Sequence, residues 1–209
     1  MEAEAIIDAV LDFDQEKTAQ LVQAQLDQGA DALAILDQAL IAAMDEVGRK
    51  FSAGVFFVPE MLMAAEAMHA GLEVLGPHLA GSDIKAKGTI VIGTVKGDNH
   101  DIGKNLVAMM LECAGYRVID LGVNVSKGKF LAAAKKYQAD IVALSALLTT
   151  TMAEMEAVVA DVRAKGGSSL KTLVGGAPVT ASFAAGIGAD GYSSDAAGAV
   201  SMARSLVSA

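Results

Sequence analysis

The stretch TIVIGTVKGDNHDIGKNLV, residues 89 to 107, decides how this chain is read. Thr89 to Gly93 is an apolar, β-branched run of strand character, and the segment from Asp101 onward has the periodicity of a helix. Between them a glycine-flanked polar turn sets His100, one of only three histidines, between Asp98 and Asp101. Strand, tight turn and helix in this order open a βαβ unit. The same grammar continues downstream. Strand-like runs recur at 116–122, 139–145, 171–176 and 189–194, separated by helical stretches at 101–114, 126–137, 150–165, 178–186 and 195–207. Of the 21 glycines, 15 fall at or after Gly88, where tight strand–helix connections need them. This alternation predicts an α/β fold with a doubly wound, five-stranded parallel sheet, its ligand held beyond the carboxyl ends of the strands.

Upstream, the pattern is helical. Leu33, Leu36, Leu40, Met44, Val47 and Phe51 recur at spacings of three and four, the stripe of an amphipathic helix. Ile6, Ile7, Val10 and Leu11 mark one shorter helix, and Leu21, Val22 and Leu26 a second. Pro59 suits the first turn of a fourth, which carries Met61, Met68, Leu72 and Leu75. Together they predict an N-terminal four-helix bundle. The segment GPHLAGSDIKAKG (76–88) holds Gly, Pro and charge without periodicity and reads as the join. The expected organisation is a helical bundle over 1–80, a linker over 81–88 and an α/β domain over 89–209.

Composition narrows the function. Apolar residues make up 53% of the chain, Trp is absent, and ten Met are expected mostly as gap-fillers in helical cores. A net charge of −9 without a basic stripe argues against nucleic acid or an anionic membrane as partner. No apolar run reaches the roughly 18 residues that span a bilayer, and the acidic start MEAEAIIDAV is unlike a signal peptide, so a cytoplasmic protein is expected. The one cysteine, Cys113, rules out an intramolecular disulfide and is expected as a small buried residue on the apolar side of a helix.

The turn itself admits several readings. GDNHDIG is neither a GxGxxG nor a P-loop, so phosphate binding has weak support. Zinc or iron has little more, because only Asp98, His100 and Asp101 cluster, and Asp101 stands where it would cap the adjoining helix. On general turn chemistry, a polar turn with an N-cap stays open as the plain alternative.

The spacing Asp98-x-His100-x-x-Gly103 is more specific. It resembles the cobalamin-binding motif of cobalamin-dependent methionine synthase and of the small corrinoid proteins of methyltransferase systems. LSALLTTTM (144–152) is similar to that family's Ser-x-Leu segment with its adjoining hydroxyls, and GGAPV (175–179) to its Gly-Gly turn. VGRKFSAGVFFVPEML (47–62) is similar to the helical cap of the methyl carriers, so the resemblance covers nearly the whole chain in order.

This resemblance implies a Rossmann-like B12-binding domain preceded by a helical cap. It implies cobalamin as cofactor (methylcobalamin and cob(I)alamin, or a related corrinoid), with its own base displaced and His100 as the lower axial ligand to cobalt. Gly97, Asp98, Asn99, His100, Asp101, Ile102 and Gly103 would form the ligand turn. Asp98 would hold the ring in one tautomer and, with Thr151 in place of the Ser of methionine synthase-like modules, manage its proton during catalysis. Ser145, Leu147 and Thr149 would line a slot for the displaced nucleotide tail, Gly103 would let the backbone approach it, and Gly175 and Gly176 would open its floor. Ala196 would be the small residue beside the buried base. Phe51, Val58 and Met61 would form an apolar lid over the corrin, with Asp37 as a polar contact. Taken singly, the lid residues also suit ordinary core, Ser145 and Thr149 local helix caps, and the glycine pair a plain turn.

The implied function is carriage of a methyl group between a substrate-specific methyltransferase and a second methyltransferase serving a folate or thiol acceptor, with a reductive activation protein as further partner. Two rivals share the motif. The small subunit of an adenosylcobalamin-dependent mutase does not need the bundle, and a cobalamin-sensing protein would need a DNA-binding or signalling domain for which no residues are expected to remain. A flavodoxin-like module without cobalt is the third, and a visible spectrum separates it. His69 and His78 are expected at the surface or in the linker, and AEMEAVVADVRAKGG (153–167) as a solvated helix ending in a glycine cap.

Overall fold

Apolar spacing and side-chain caps together set the helices of the first part. In the computed structural model, which describes residues 3–79, 86–167 and 169–208, α1 (Ala3–Leu11) buries Ile6, Ala9 and Val10. Asp14 caps α2 (Gln15–Asp27), its carboxylate accepting from the Lys17 N–H at 2.9 Å. Asp31 does the same for α3 (Ala32–Ile35) through the Ala34 N–H at 3.2 Å. These short polar side chains satisfy donors that the first helical turn leaves without partners.

The helix begun by α3 continues without a break through a π-helical turn, Leu36–Ile41, into α4 (Ala42–Ser52). The π turn alters the stripe expected from the sequence. Its one extra residue rotates the faces of α3 and α4 by about 100° relative to each other. The buried series therefore runs Ile35, Leu40, Met44, Val47, with a step of five across the π turn, while Leu33 stays 36% exposed. Helix α5 (Val58–Leu79) starts with Pro59 in its first turn, as the sequence predicts. It also runs through Gly76 and Pro77, where the sequence pattern places the start of the join. Gly76, Pro77 and His78 are exposed, and in such a final turn water can replace the donor that proline lacks. Most of the expected linker, 81–85 of 81–88, lies outside the described residues.

The chain divides into two units, Met1–Lys85 and Ala86–Ala209. In the second, strands β1 (Thr89–Thr94), β2 (Arg117–Asp120), β3 (Ile141–Ser145), β4 (Lys171–Gly175) and β5 (Gly191–Ser193) form one parallel sheet in the order β2-β1-β3-β4-β5. Helices α6 (Ile102–Cys113) and α10 (Ala196–Val207) pack together, while α7 (Lys127–Tyr137), α8 (Met152–Lys165) and α9 (Ala181–Ile187) pack in sequence. The apolar strands are covered by these helices, as a parallel sheet requires. The doubly wound fold is the one the alternation predicts.

One local expectation needs amending. Helix α8 is amphipathic, not merely solvated: Met155, Val158, Val159 and Val162 are buried in the sheet-facing core. Its end places Gly166 in ordinary helical conformation and Gly167 at φ +85. Cys113 is 1% exposed, as expected, and burial, reinforced by the Glu112 charge, pushes its thiol up to about 12. Among the described residues no helix is long and apolar enough to cross a membrane.

Candidate functional site

Topology creates the site before any side chain is considered. With β1 flanked by β2 on one side and β3 on the other, the chain leaves β1 and β3 toward opposite faces, and a crevice opens between their carboxyl ends. Register aligns the strand ends there: Thr94 pairs with Ser145, Ser145 with Gly175, and Gly175 with Ser193. The turn 95–101 and the loop 146–151 lie beside each other on this edge.

Asp98 joins the two loops. Its side chain is fully buried. Oδ1 accepts from the His100 backbone N–H at 3.1 Å and lies 2.7 Å from His100 Nδ1. Oδ2 accepts from the Leu147 N–H at 2.7 Å, the Leu148 N–H at 3.2 Å and the Thr151 hydroxyl at 2.9 Å. Burial by itself would raise this carboxyl. The hydrogen bonds, led by Leu147 and then those from His100 and Thr151, outweigh it and hold the group well below the usual carboxylate range. An ionised carboxylate only accepts, so the 2.7 Å contact requires the ring proton on Nδ1. On the neutral ring the lone pair then lies on Nε2, on a side chain that is 51% exposed. The Thr151 hydroxyl also has the Leu148 carbonyl at 2.9 Å, so its single proton is shared between two acceptors.

Several expected residues fall into this arrangement. Asp98, His100, Leu147 and Thr151 meet directly. Ser145 ends β3 half-buried, Thr149 is exposed, and neither hydroxyl bonds within the described protein. Neither therefore caps a helix. Gly103 has ordinary helical geometry, and a Cβ there would meet nothing within 4 Å, so the chain's own packing does not demand glycine. Gly175 and Gly176 differ. A Cβ on Gly176 (φ +129) would lie 1.9 Å from the Ala146 carbonyl oxygen, and one on Gly175 2.9 Å from that of Ser193. Close backbone approach explains both glycines internally. Asp101 sits at the cap position of α6, but its side chain makes no capping bond, contrary to expectation; only its carbonyl accepts, from the Asn105 N–H at 2.7 Å. Gly97 (φ +82) and Asn99 complete the turn, and Ala196 is buried at the start of α10.

Four apolar side chains near this network stay exposed: Ile102 at 81%, with Val123, Leu147 and Leu148. In the helical unit, Met61 is fully buried and packs as core, which removes it from any exposed lid. Phe51 is half-buried, and Asp37 and Val58 are exposed. The most exposed apolar side chains of that segment are Val55 and Phe57, at 61% and 63%. The sequence offered the FFVP run, but helical spacing favours Phe51 and gives no means of telling which of three phenylalanines faces solvent. Two further residues that no sequence pattern marks support the turn. The Thr94 hydroxyl donates to the His100 carbonyl at 2.8 Å, and the Asn124 side-chain oxygen accepts from the Gly97 N–H at 2.8 Å.

Chemically, the arrangement offers one oriented imidazole nitrogen at an open edge with apolar borders. Among the described residues no three His, Cys, Asp or Glu are grouped so that they could hold a metal ion. Beside the imidazole lie unpartnered hydroxyls and a glycine facing open space, which suit a large polar group arriving with its own metal.

Comparison with known proteins agrees. Residues 88–201 match the model of a B12 binding domain, and residues 2–75 match a second B12 binding domain model. The chain is 42% identical over 203 residues to trimethylamine corrinoid protein 1 of Methanosarcina acetivorans, covering 96% of this chain and 94% of that one. It is similar to the methanol:cobalamin methyltransferase complex MtaBC from Methanosarcina barkeri, with a TM-score of 0.85 and 32% identity over 99% of this chain and 79% of that one. A cobalamin-binding protein from Desulfitobacterium hafniense DCB-2 gives a TM-score of 0.84 and 29% identity over 99% and 98% of the two chains. With family-model matches over both parts and 42% identity along nearly its whole length, the chain belongs to the B12-binding corrinoid proteins of the methyltransferase-associated kind.

Proposed function

We propose that this chain carries a methyl group on a bound corrinoid between a substrate-specific methyltransferase and a second one, with His100 as the protein's ligand to cobalt. The observation that carries this reading is the 2.7 Å contact between ionised Asp98 and His100 Nδ1, which leaves Nε2 free at an exposed edge. When bound, the corrinoid supplies a cobalt centre that takes up a methyl group and gives it up again. The residues here bind and orient. Asp98 fixes the tautomer, Leu147, Leu148 and Thr151 fix Asp98, and Thr94 fixes the His100 backbone. Gly103 leaves room for the nucleotide tail, and Ser145 and Thr149 supply free hydroxyls to bond it.

The relatives named for trimethylamine and methanol favour a small methylated amine or alcohol as donor, the amine having the closer sequence support. They also favour a carrier over a mutase subunit or a sensor. A folate or thiol acceptor, a reductive activation protein and a cytoplasmic setting complete the proposal. The helical unit serves as cover for the upper face of the corrin, with Phe57 and Val55 better suited than Phe51 and Met61 on exposure.

Ligation is tested by loading the protein with cobalamin labelled with 15N in its benzimidazole and recording the paramagnetic resonance of cobalt(II). Coupling to an unlabelled protein imidazole, lost in His100→Ala, is expected. Coupling to the labelled base in the unaltered protein would overturn the assignment. Carriage is tested by incubating the loaded, reduced protein with labelled trimethylamine and a trimethylamine methyltransferase, and measuring label on the protein-bound corrinoid.

A further inference from the structure

We infer that Asn124, on the loop between β2 and α7, is a positioning residue that holds the His100 turn in its ligating shape. The inference deepens the proposed function and rests on His100 being the ligand. Asn124 acts on the turn from 27 residues away in sequence. Its side-chain oxygen accepts from the Gly97 N–H at 2.8 Å, and its own backbone N–H donates to the Asp98 carbonyl at 2.9 Å. The two bonds bracket Gly97 and Asp98. An isolated bridge between Val95 and Val125, with the Val125 N–H on the Thr94 carbonyl at 2.9 Å, brings the loop into reach.

The bracket matters because Gly97, at φ +82, has no Cβ to resist rotation of its peptide. A freed peptide at 97 moves the Asp98 backbone, and with it the carboxylate that sets the His100 ring. At the other end of the turn, the buried Thr94 hydroxyl holds the His100 carbonyl at 2.8 Å. Between these pins, residues 97 to 100 are fixed at both ends by side chains from outside the turn.

Residue type fits this role better than a packing role. Asn124 is exposed, so no core selects it. Its backbone is at φ +52, a conformation suited to Gly, Asn and Asp. Of these, Gly satisfies the backbone and brings no acceptor. Asn satisfies both demands.

The test separates the two. Asn124→Gly keeps the backbone and deletes the acceptor, while Asn124→Asp keeps both. The first readout is the His100 tautomer in the cofactor-free protein, from 15N shifts of the imidazole at a pH where the ring is neutral. With only three histidines, His100→Ala identifies the signal. The unaltered protein and Asn124→Asp are expected to hold the proton on Nδ1, and Asn124→Gly to show a mixture of both tautomers. In the loaded protein, Asn124→Gly should raise the cobalamin Kd about five-fold, the weight of one hydrogen bond, and broaden the cobalt(II)–imidazole coupling. A melting curve unchanged by more than the glycine substitution itself accompanies these effects. Should Asn124→Gly not fold, Asn124→Asp decides: it keeps backbone and acceptor, and a tautomer mixture there would overturn the inference. A wild-type tautomer ratio in Asn124→Gly would overturn the inference. Survival of the imidazole coupling in His100→Ala would instead overturn the ligand assignment, which the cofactor-free tautomer measurement does not touch.

Discussion

The two units of this chain use polar side chains in opposite ways. In Met1–Lys85 a series of side-chain bonds is local: Asp14 to Lys17, Gln20 to Glu16, Gln23 to Asp27, Asp31 to Ala34, Glu60 to Phe57, each three or four residues apart. In Ala86–Ala209 the bonds that matter span the chain: 27 residues from Gly97 to Asn124, 49 from Asp98 to Leu147, 51 from Thr89 to Asp140, 53 from Asp98 to Thr151. Charge divides them as well. The first unit holds 15 carboxylates against 4 lysines and arginines, the second 10 against 12. Local bonds trim helix ends and can be lost one at a time. Long-range bonds exist only when the sheet is assembled, so the site and the fold of the second unit are one cooperative object.

Removing the first unit is the strongest way to break the comparison. A chain beginning at Ala86 keeps every long-range bond named above, so it is expected to fold and bind cobalamin. Under the proposed cover role it should lose protection: bound methylcobalamin should photolyse with less recombination, and the reduced form should reoxidise faster. Equal rates with cofactor bound in both chains would confine the helical unit to partner docking.

Next in size is Asp98→Ala. It leaves the Leu147 and Leu148 N–H groups without their acceptor and the Thr151 hydroxyl with the Leu148 carbonyl alone, at a cost of about 3 to 5 kcal/mol. Chemical denaturation should show the loss in the second unit alone. Asp98 also gives the second unit an acid dependence with a fixed sign. Because its folded carboxyl is depressed below the 3.8 of the unfolded chain, its stabilisation is present above that value and is lost as pH falls toward the folded one. Asp98→Asn, assayed by denaturation between pH 5 and pH 2, should lack that share of the decline. An identical acid profile would show that Asp98 is not held ionised.

Thr151→Val removes one hydrogen bond to a charged group, worth about 1.5 to 3 kcal/mol, and Thr151→Ser should restore most of it. The smallest effect belongs to the first unit. Asp14→Ala should cost about 1 kcal/mol through the N-cap of α2 and leave cobalamin affinity unchanged. A change in affinity there would mean that the helical unit is coupled to the site more tightly than its local bonding suggests.

The same contrast explains how much of the molecule is legible in its sequence. All five strands and the helices between them are readable because alternation and apolar runs are local signals, and the expected bounds, such as 171–176 for β4, agree closely. Asp98 and His100 are readable because their spacing is short. Thr151 is reached through the resemblance alone. Asn124 and Thr94 are not legible at all: nothing near either residue in sequence marks its partner, which only the adjacency of β1, β2 and β3 supplies. In the helical unit the differences are of register. A π turn cannot be seen in a pattern of threes and fours, so the pattern puts Leu33 on a face that Ile35 occupies. Pro77 reads as a stop because interior proline costs a helix, whereas an exposed last turn tolerates it.

Cys113 has a bearing on the proposed chemistry that its burial alone does not suggest. Thiolates are soft nucleophiles and ready methyl acceptors, and the reactive species is the thiolate and not the thiol. With burial pushing its thiol far above the ordinary range, the thiolate is scarce at neutral pH, and the side chain is 1% exposed at the end of α6. In a carrier of activated methyl groups, this burial withholds the chain's one thiol as an internal acceptor, so it does not compete with an outside one for the cargo.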